Sequence, residues 1–283
     1  MSIVDVKTIV ENKKNSLKRK ILELRDRGII PKLAVVMAND NPASKVYVGR
    51  KRKMCQEMGI EEVEYIFDER VTMEQLLDTI AKLNEDKEVD GILVQLPLFK
   101  HLDEQKVLDS IIPEKDVDGF SSMNVGRLYK NSKDTIVPCT PKGILTILKE
   151  VEPNLSGKNA VIVGRSQIVG KPMASLLLNQ DMTVSICHSK TKNLIEYTRL
   201  ADVLVVATGV PRLITDNMVK EGSIVIDVGL TKVQDKLVGD VDTESVAKVA
   251  KAVTPVPGGV GITTVYSLIE NVVEIAENRK GKR

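Results

Sequence analysis

The apolar positions of the chain switch repeatedly between helical and strand-like spacing. They recur every three or four residues from Val6 to Leu24, which predicts a helix with one buried face, and Gly28 can end it. A continuous apolar run at 32–38 then predicts a buried strand. Further helices are predicted at 42–58, 73–86 and 103–111, and further strands at 61–67 and 91–98. This order predicts an α/β half built on a parallel sheet.

A second series of the same kind begins at Thr140 and Pro141. Its predicted helices lie at 141–151, 171–180 and 264–277, and its strands at 159–164, 183–187, 201–209 and 223–229. We expect two α/β domains, 1–139 and 140–263, separated in the Pro- and Thr-bearing region 138–143. A second crossing at 254–261 would bring the final segment, 264–283, back to pack on the first domain.

The composition of the chain argues against several classes of function. The formal net charge is +2 and aromatic residues make up only 3% of the 283 positions, so neither a basic field nor a base-stacking surface favours nucleic-acid binding. No apolar stretch approaches the roughly 20 residues that span a bilayer, and the N-terminus has no signal-peptide core. The three cysteines form no CxxC pair, which fits a reducing compartment. We therefore expect a cytoplasmic protein that binds neither membrane nor nucleic acid.

A glycine-bearing loop follows the first strand of the second half, in VIVGRSQIVGKP. Gly164 allows a tight turn, Ser166 is small enough to let the backbone approach a phosphate, and Gly170 allows helix and strand to pack closely. The spacing, G-x-S-x-x-x-G, departs from the G-x-G-x-x-G of dinucleotide sites, but the strand before it and the helix after it match. The alternative is a turn that only links two elements.

The end of the next strand indicates which dinucleotide would bind. An acidic residue there would hold the ribose hydroxyls of NAD, whereas this chain has His188, Ser189 and Lys190. A hydroxyl and an amine can bind a 2′-phosphate, and Arg165 in the glycine loop could reach it. The sequence thus favours NADP over NAD. A polar turn without a ligand is the alternative.

Three segments of the first half carry candidate reactive residues. Helical spacing places Ser44, Tyr47 and Lys51 on one face of the second helix, while Gln95 ends an apolar strand. Asp118, with Asp116, lies in the loop PEKDVDGF before a glycine. Singly, a helix lysine is usually solvated, a buried glutamine is usually structural, and an Asp before Gly usually forms a turn.

Taken together, these segments identify a resemblance. The pieces DNPASKVYVGRKRK, GILVQLPL, PEKDVDGF, PCTPKGI, VIVGRSQIVGKP, CHSKT, ADVLVVATG, IDVG and TPVPGGVG occur in one order along nearly the whole chain. In this they closely resemble the bifunctional methylenetetrahydrofolate dehydrogenase/methenyltetrahydrofolate cyclohydrolases. The resemblance implies a folate-binding N-terminal domain, a Rossmann-like NADP-binding domain with a cleft between them, and a homodimer.

The resemblance also implies roles for individual residues. Lys51, Tyr47, Gln95 and Asp118 match the family's catalytic set, with Gln95 bonded to the lysine and Asp118 bound to the pterin ring. The cofactor contacts would be Gly164, Arg165, Ser166, Gly170 and Ser189, and the substrate contacts Ser44, Asp118, Pro257, Gly258 and Gly259. We find no metal-ligand cluster, since His101 and His188 are the only histidines.

Two departures from the family pattern stand near these motifs. Ile262 and Thr263 replace the Pro and Met of VGPMT, which restores a backbone donor and removes a φ constraint. Asn39 replaces a glycine before DNPAS, and we expect the turn to survive because asparagine tolerates a left-handed φ. Neither change alters the Lys–Tyr–Gln–Asp set.

The implied reaction is oxidation of 5,10-methylenetetrahydrofolate by NADP⁺, followed by hydrolysis of the methenyl product with Lys51 moving protons. Three alternatives remain at this stage. They are a monofunctional dehydrogenase of the same family, another two-domain NADP-dependent dehydrogenase of the shikimate type, and a nucleotide sensor without turnover.

Overall fold

The computed structural model describes residues 2–280, apart from the side chains of Ala43, Arg279 and Lys280. The chain divides into two compact units. Lys13–Cys139, with the segment from Val265 onward, forms what we call the three-stranded unit. Thr140–Thr264, with the described residues up to Asn12, forms the five-stranded unit. The chain thus passes between the units three times, near Asn12, Cys139 and Thr264.

The three-stranded unit is built on a parallel sheet in the order β2-β1-β3. The central strand β1 is buried along nearly its whole length, as its continuous apolar run predicts. The elements of this half are α1 (Val6–Asp26), β1 (Lys32–Met37), α2 (Pro42–Met58), β2 (Glu61–Ile66), α3 (Met73–Glu85), β3 (Gly91–Gln95), α4 (Glu104–Asp109) and α5 (Ser122–Tyr129).

The five-stranded unit holds a parallel sheet in the order β10-β7-β6-β4-β5 and a small antiparallel hairpin. Its elements are α6 (Cys139–Val151), β4 (Asn159–Val163), α7 (Gly170–Leu178), β5 (Thr183–Cys187), α8 (Leu194–Thr198), β6 (Val203–Val206), β7 (Ile224–Asp227), the hairpin β8 (Thr231–Val233) and β9 (Lys236–Val238), α9 (Thr243–Val246) and β10 (Ala252–Val253). The last helix, α10 (Val260–Lys280), begins at the end of this unit.

The predicted α/β fold class with parallel sheets is confirmed. The hydrophobic pattern does not predict α5, α8, α9, β10 or the β8–β9 hairpin, because these elements are short and carry little periodic signal. The final helix begins at Val260 rather than at 264. The start of the chain also contributes to the five-stranded unit, because Val4 N donates to Val253 O at 2.9 Å and Val253 N donates to Ser2 O at 2.6 Å.

Each unit has its own apolar core. In the three-stranded unit, β1 and β3 pack against α3 and the residues around α4, with Leu76, Ile80 and Val107 fully buried. In the five-stranded unit, β4, β6 and β7 contribute Val161, Val163, Val206 and Val225 to the core. Within residues 2–280, we find no helix that combines the length and the apolar character needed to cross a bilayer.

A buried lysine closes the C-terminal end of α3. Lys115 is 6% exposed, and its Nζ donates to the backbone oxygens of Leu83, Asn84 and Asp86 at 2.8, 2.8 and 2.6 Å. These carbonyls include ones that have no partner within the helix, and a cation also complements the negative end of the helix dipole. Lys115 therefore fixes the start of the segment that leads to Asp116 and Asp118.

We expect Lys115→Met to lower the free energy of unfolding by about 2–4 kcal/mol, because three partly buried carbonyl oxygens lose their donor. Urea denaturation followed by circular dichroism measures the change. Lys87→Met is the matched control, since Lys87 is exposed in the loop just after α3, and we expect it to change stability by less than about 0.5 kcal/mol. Equal stabilities of the two variants would contradict this role of Lys115.

Candidate active site and cofactor loop

Helix α2 presents Ser44 and Lys51 toward the protein interior. Ser44 is 4% exposed and Lys51 only 8%, whereas Lys45 and Lys53 on the same helix are exposed. Tyr47, between them on the same face, is partly buried, and the guanidinium carbon of Arg50 lies 5.9 Å from its ring centroid. Burial therefore separates Lys51 from the solvated basic residues around it.

Lys51 is held by the glutamine at the end of β3. Its Nζ donates to Gln95 Oε1 at 3.0 Å, and Gln95 Nε2 donates to Leu96 O at 2.8 Å. The structure thus brings together two residues that are 44 positions apart. The amide orients the lysine through a hydrogen bond but carries no charge to neutralise it.

Asn39 supports the same site through a contact that the sequence pattern does not predict. Its φ is not positive, so this turn makes no use of the tolerance of asparagine for a left-handed φ. Instead its Nδ2 donates to the backbone oxygen of Gln95 at 3.1 Å, and its Oδ1 accepts from Asn41 N at 3.1 Å. The pairing of Met37 with Gln95 across β1 and β3 places these residues at the same sheet edge, so only strand register could have indicated the contact.

The loop that carries Asp118 is fixed by its neighbour Asp116. Asp116 is 1% exposed and accepts from Phe120 N at 3.3 Å, Ser121 N at 2.8 Å and Asn124 Nδ2 at 3.0 Å. Gly119 adopts φ +65°, and a Cβ there would overlap the Ile136 oxygen. The two aspartates thus differ in their surroundings, because Asp116 is fully buried and shapes the turn, whereas Asp118 is half-buried just after it.

Asp118 is a perturbed acid. Burial, the largest influence, raises the pKa of Asp118 above its usual range, and the charge of Asp116 adds to this. The positive charge of Lys51 and a hydrogen bond with Cys139 lower the pKa of Asp118. The lysine is therefore close enough to Asp118 to interact with it electrostatically. Perturbed acids of this kind cluster at functional sites, and this one lies with Lys51 and Gln95 in the three-stranded unit.

The glycine loop of the five-stranded unit forms the predicted strand–turn–helix. Gly164 has φ +129°, and a Cβ there would overlap the Ala207 oxygen, so a side chain cannot be accommodated. A Cβ at Gly170 would overlap the Gly164 oxygen. Ser166 Oγ accepts from Val169 N at 3.2 Å and Gly170 N at 3.4 Å, which leaves its hydroxyl hydrogen to donate to a ligand at the start of α7.

The turn after β5 lies beside this loop, because Gly164 N donates to Cys187 O at 2.9 Å. His188 shapes that turn, since its Nδ1 accepts from Lys190 N at 3.1 Å. Ser189, Lys190 and Arg165 are exposed, and neither 164–171 nor 188–193 contains a carboxylate. These polar and cationic groups at adjacent strand ends fit a phosphate-bearing dinucleotide.

The strand order marks where such a ligand would bind. Starting at β4, the chain runs first to β5 on one side and later to β6 on the other. This is a topological switch point, and ligands of open α/β sheets bind at the carboxyl ends of the strands there. The loops after β4 and β6 therefore line the expected crevice.

The segment before α10 is tightly turned. Gly258 has φ +100°, and a Cβ at Gly259 would overlap the Pro255 oxygen. Pro257 is exposed. Ile262, one of the two departures, uses the backbone donor that a proline would lack, because its N donates to Gly259 O at 3.0 Å. Thr263 is fully buried in contact with Gly143, and its Oγ1 donates to Val260 O at 2.9 Å.

Comparison with models of protein families shows which family the chain belongs to. Residues 4–118 match the model of the tetrahydrofolate dehydrogenase/cyclohydrolase catalytic domain, and residues 138–280 match that of the NAD(P)-binding domain of the same family. The chain belongs to the tetrahydrofolate dehydrogenase/cyclohydrolase family. The resemblance found in the sequence is confirmed, and the shikimate-type alternative is set aside because both family models account for most of the chain.

Individual members of the tetrahydrofolate dehydrogenase/cyclohydrolase family are similar over their whole length. The bifunctional protein FolD of Campylobacter hominis is 49% identical over 280 residues, which is 99% of this chain and 98% of that protein. The crystal structure of the bifunctional FolD enzyme of Campylobacter jejuni is 49% identical, with a TM-score of 0.96 and 99% of both chains covered. The Trypanosoma brucei FolD enzyme, complexed with NADP cofactor and an inhibitor, is 35% identical with a TM-score of 0.92, covering 98% of this chain and 97% of that one.

We expect Lys51→Met to raise the pKa of Asp118 further, because the substitution removes the positive charge that favours the ionised carboxylate. The protonated form would then persist to higher pH. A pH titration of the Asp118 carboxyl carbon by ¹³C NMR measures the shift in both proteins. Lys53→Met, on the exposed face of α2, should leave the Asp118 titration unchanged, and an unchanged titration in Lys51→Met as well would contradict the proximity of the two groups.

Proposed function

We propose that this protein oxidises 5,10-methylenetetrahydrofolate to 5,10-methenyltetrahydrofolate by hydride transfer to NADP⁺, and then hydrolyses the methenyl form to 10-formyltetrahydrofolate. The observation that carries the proposal is the buried Lys51 bonded to Gln95, with the perturbed acid Asp118 nearby, in a chain of this family. A monofunctional dehydrogenase would have no need of a lysine held in this way.

The five-stranded unit supplies the cofactor contacts. The exposed Arg165 and Ser189 would bind the 2′-phosphate of NADP, and the Gly164–Gly170 loop with the Ser166 hydroxyl would hold the pyrophosphate at the start of α7. When bound, NADP⁺ supplies the hydride acceptor. The residues of the loop would bind and orient the cofactor. No acidic side chain in the loop would repel its phosphates.

The three-stranded unit supplies the folate contacts. Asp118, whose pKa is raised by burial, would form hydrogen bonds with the pterin ring, whose edge carries both donors and acceptors. Ser44, buried on the same face of α2 as Lys51, would lie near the same ligand. Pro257, Gly258 and Gly259, which belong to the five-stranded unit, are proposed as further substrate contacts on the family resemblance, and they form a tight turn.

Cyclohydrolysis requires proton transfers around the methenyl carbon. Water adds to this electrophilic carbon and loses a proton. The bond to N5 then breaks as that nitrogen gains a proton and the new hydroxyl loses its own to become the formyl oxygen, so one proton is released overall. Lys51 is the proposed group for these transfers, and Gln95 fixes the direction of its Nζ through the 3.0 Å hydrogen bond. Tyr47, on the same helix face, is proposed to position the lysine and the folate.

We also propose a cytoplasmic location and a homodimer. Cys55, Cys139 and Cys187 are all free and buried, which suits a reducing compartment. The homodimer is supported only by the resemblance to the family.

We expect Lys51→Met to reduce cyclohydrolase activity by about 10²–10⁴-fold, the usual contribution of a positioned acid–base group, while NADP⁺ binding stays unchanged. A spectrophotometric assay that follows formation and decay of methenyltetrahydrofolate measures both steps, and isothermal titration calorimetry measures NADP⁺ binding. Lys53→Met is the control of equal size and charge change. Unchanged hydrolysis in Lys51→Met would remove this lysine from the mechanism and favour the monofunctional alternative.

We expect Ser189→Asp to shift preference from NADP⁺ toward NAD⁺ by about 10–100-fold, because the new carboxylate repels the 2′-phosphate and can accept hydrogen bonds from ribose hydroxyls. Titration with each cofactor measures the ratio of dissociation constants. Ser156→Asp adds the same charge at an exposed site before β4, away from the carboxyl ends of the strands, and should not change that ratio. Equal ratios in the two variants would refute the phosphate assignment of Ser189.

A further inference from the structure

We propose that Asp240 is a positioning residue for the cofactor: it fixes the loop after β6, residues 207–209, as one wall of the crevice in which NADP binds. This inference rests on the proposed NADP-dependent function and adds a residue to it. Asp240 lies outside the glycine loop and outside the turn after β5, in the segment that follows β9.

The Asp240 carboxylate gathers the donors of the β6 loop at one oxygen. Its Oδ2 accepts from Thr208 N at 2.6 Å, from the Thr208 hydroxyl at 2.9 Å and from Gly209 N at 2.9 Å. Charge-assisted hydrogen bonds of this length are among the stronger ones in proteins. Thr208 and Gly209 are thus held by a side chain more than 30 positions away in sequence.

A second buried carboxylate places Asp240 itself. Asp227, the last residue of β7, accepts from Asp240 N at 2.9 Å, Val241 N at 2.9 Å and Gly229 N at 3.0 Å. Burial, together with the Asp240 charge, raises the pKa of Asp227 to about 6, although the three backbone amides oppose the shift. The two aspartates form a chain of contacts from the end of β7 to the loop after β6.

Backbone atoms pack closely against the carboxylates of Asp227 and Asp240. A Cβ at Gly229 would overlap the Asp240 carboxylate, and a Cβ at Gly239 would overlap that of Asp227. Both positions require glycine because a backbone approaches a carboxylate directly. The positions of the two side chains are therefore determined by backbone on several sides.

The β6 loop packs directly against the glycine loop, so the position of one constrains the other. Ala207 O packs so closely on Gly164 that a Cβ there would overlap it, and Val206 and Val163 are paired across β6 and β4. The loops after β4 and β6 are the two that flank the switch point. A shift of residues 207–209 would therefore change the shape of the crevice on the side opposite Ser189.

A contribution to the stability of the fold does not explain why a carboxylate is buried at position 240. It is fully buried, and its Oδ1 has no hydrogen-bond partner among the residues that the structure describes. A buried carboxylate with one oxygen unmatched costs more than an apolar residue of similar size. Its advantage is geometric, because one short anionic side chain accepts from two backbone N–H groups and a hydroxyl of the same loop.

The test compares Asp240→Ala and Asp240→Asn with the wild type by calorimetric titration with NADP⁺. Asp240→Ala should weaken NADP⁺ binding by about 10–100-fold, and Asp240→Asn, which keeps an acceptor oxygen, should recover to within about fivefold of wild type. With NADP⁺ saturating, kcat should stay within about threefold, and the KM for the folate should not change. Thr208→Val, which removes only the hydroxyl contact, should weaken NADP⁺ binding by about threefold and carries the test if Asp240→Ala does not fold.

Asp202→Ala is the matched control. Asp202 is also a carboxylate that accepts from a backbone amide, Asn159 N at 2.8 Å, but at the start of β4. It should destabilise the fold and leave the NADP⁺ affinity within about twofold of wild type. Equal losses of NADP⁺ affinity in Asp202→Ala and Asp240→Ala, or an affinity within twofold of wild type in Asp240→Ala, would overturn the proposal.

Hydrogen exchange without cofactor separates this proposal from the proposed function. Asp240→Ala should lose at least about tenfold protection at the amides of Thr208 and Gly209, while amides in the centre of β4 keep theirs. Unchanged protection at these two amides overturns the positioning role. Lost protection in a protein whose wild type binds no NADP⁺ would overturn the proposed function instead, and with it the cofactor role of Asp240.

Discussion

A lysine that is 8% exposed donates a 3.0 Å hydrogen bond to a neutral amide oxygen, and the candidate chemistry depends on this contact between Lys51 and Gln95. A carboxylate in place of the amide would form a tight ion pair and hold the lysine proton. An amide instead orients the Nζ through a hydrogen bond and adds no opposing charge, which suits the proton transfers proposed for this lysine. Asp118, perturbed by burial and opposed by Lys51, supplies a second group whose protonation depends on the first.

Parallel sheets account for the location of both sets of candidate residues. All strands of a parallel sheet end at the same edge, so residues that follow different strands meet there without being close in sequence. Gln95 ends β3, and the loop from Asn39 follows β1 in the three-stranded unit. The Gly164 loop, the Ser189 turn and the Thr208 loop follow β4, β5 and β6 in the other.

Buried carboxylates shape the loops at these edges. Asp116 accepts two backbone amides and the Asn124 side chain, and Asp240 accepts two amides and a hydroxyl. Loops lack the internal hydrogen bonds of helices and strands, so their amides need partners from elsewhere. A short anionic side chain meets several such donors at once. In both units the carboxylate that shapes the loop is distinct from the groups proposed to contact a ligand.

The sequence by itself determined the α/β class, most long helices and strands, the glycine loop and the family, because periodicity and local motifs are properties of neighbouring residues. It also placed Lys51 and Tyr47 on one helix face and Asp118 in a loop. The family resemblance implied the contact of Lys51 with Gln95, and the tertiary structure supplied its geometry and burial. Tertiary structure alone decided that Asn39 bonds Gln95 and that Asp240 holds Thr208. These contacts join residues 32 to 56 positions apart, and strand order and register, which no local pattern specifies, bring them together.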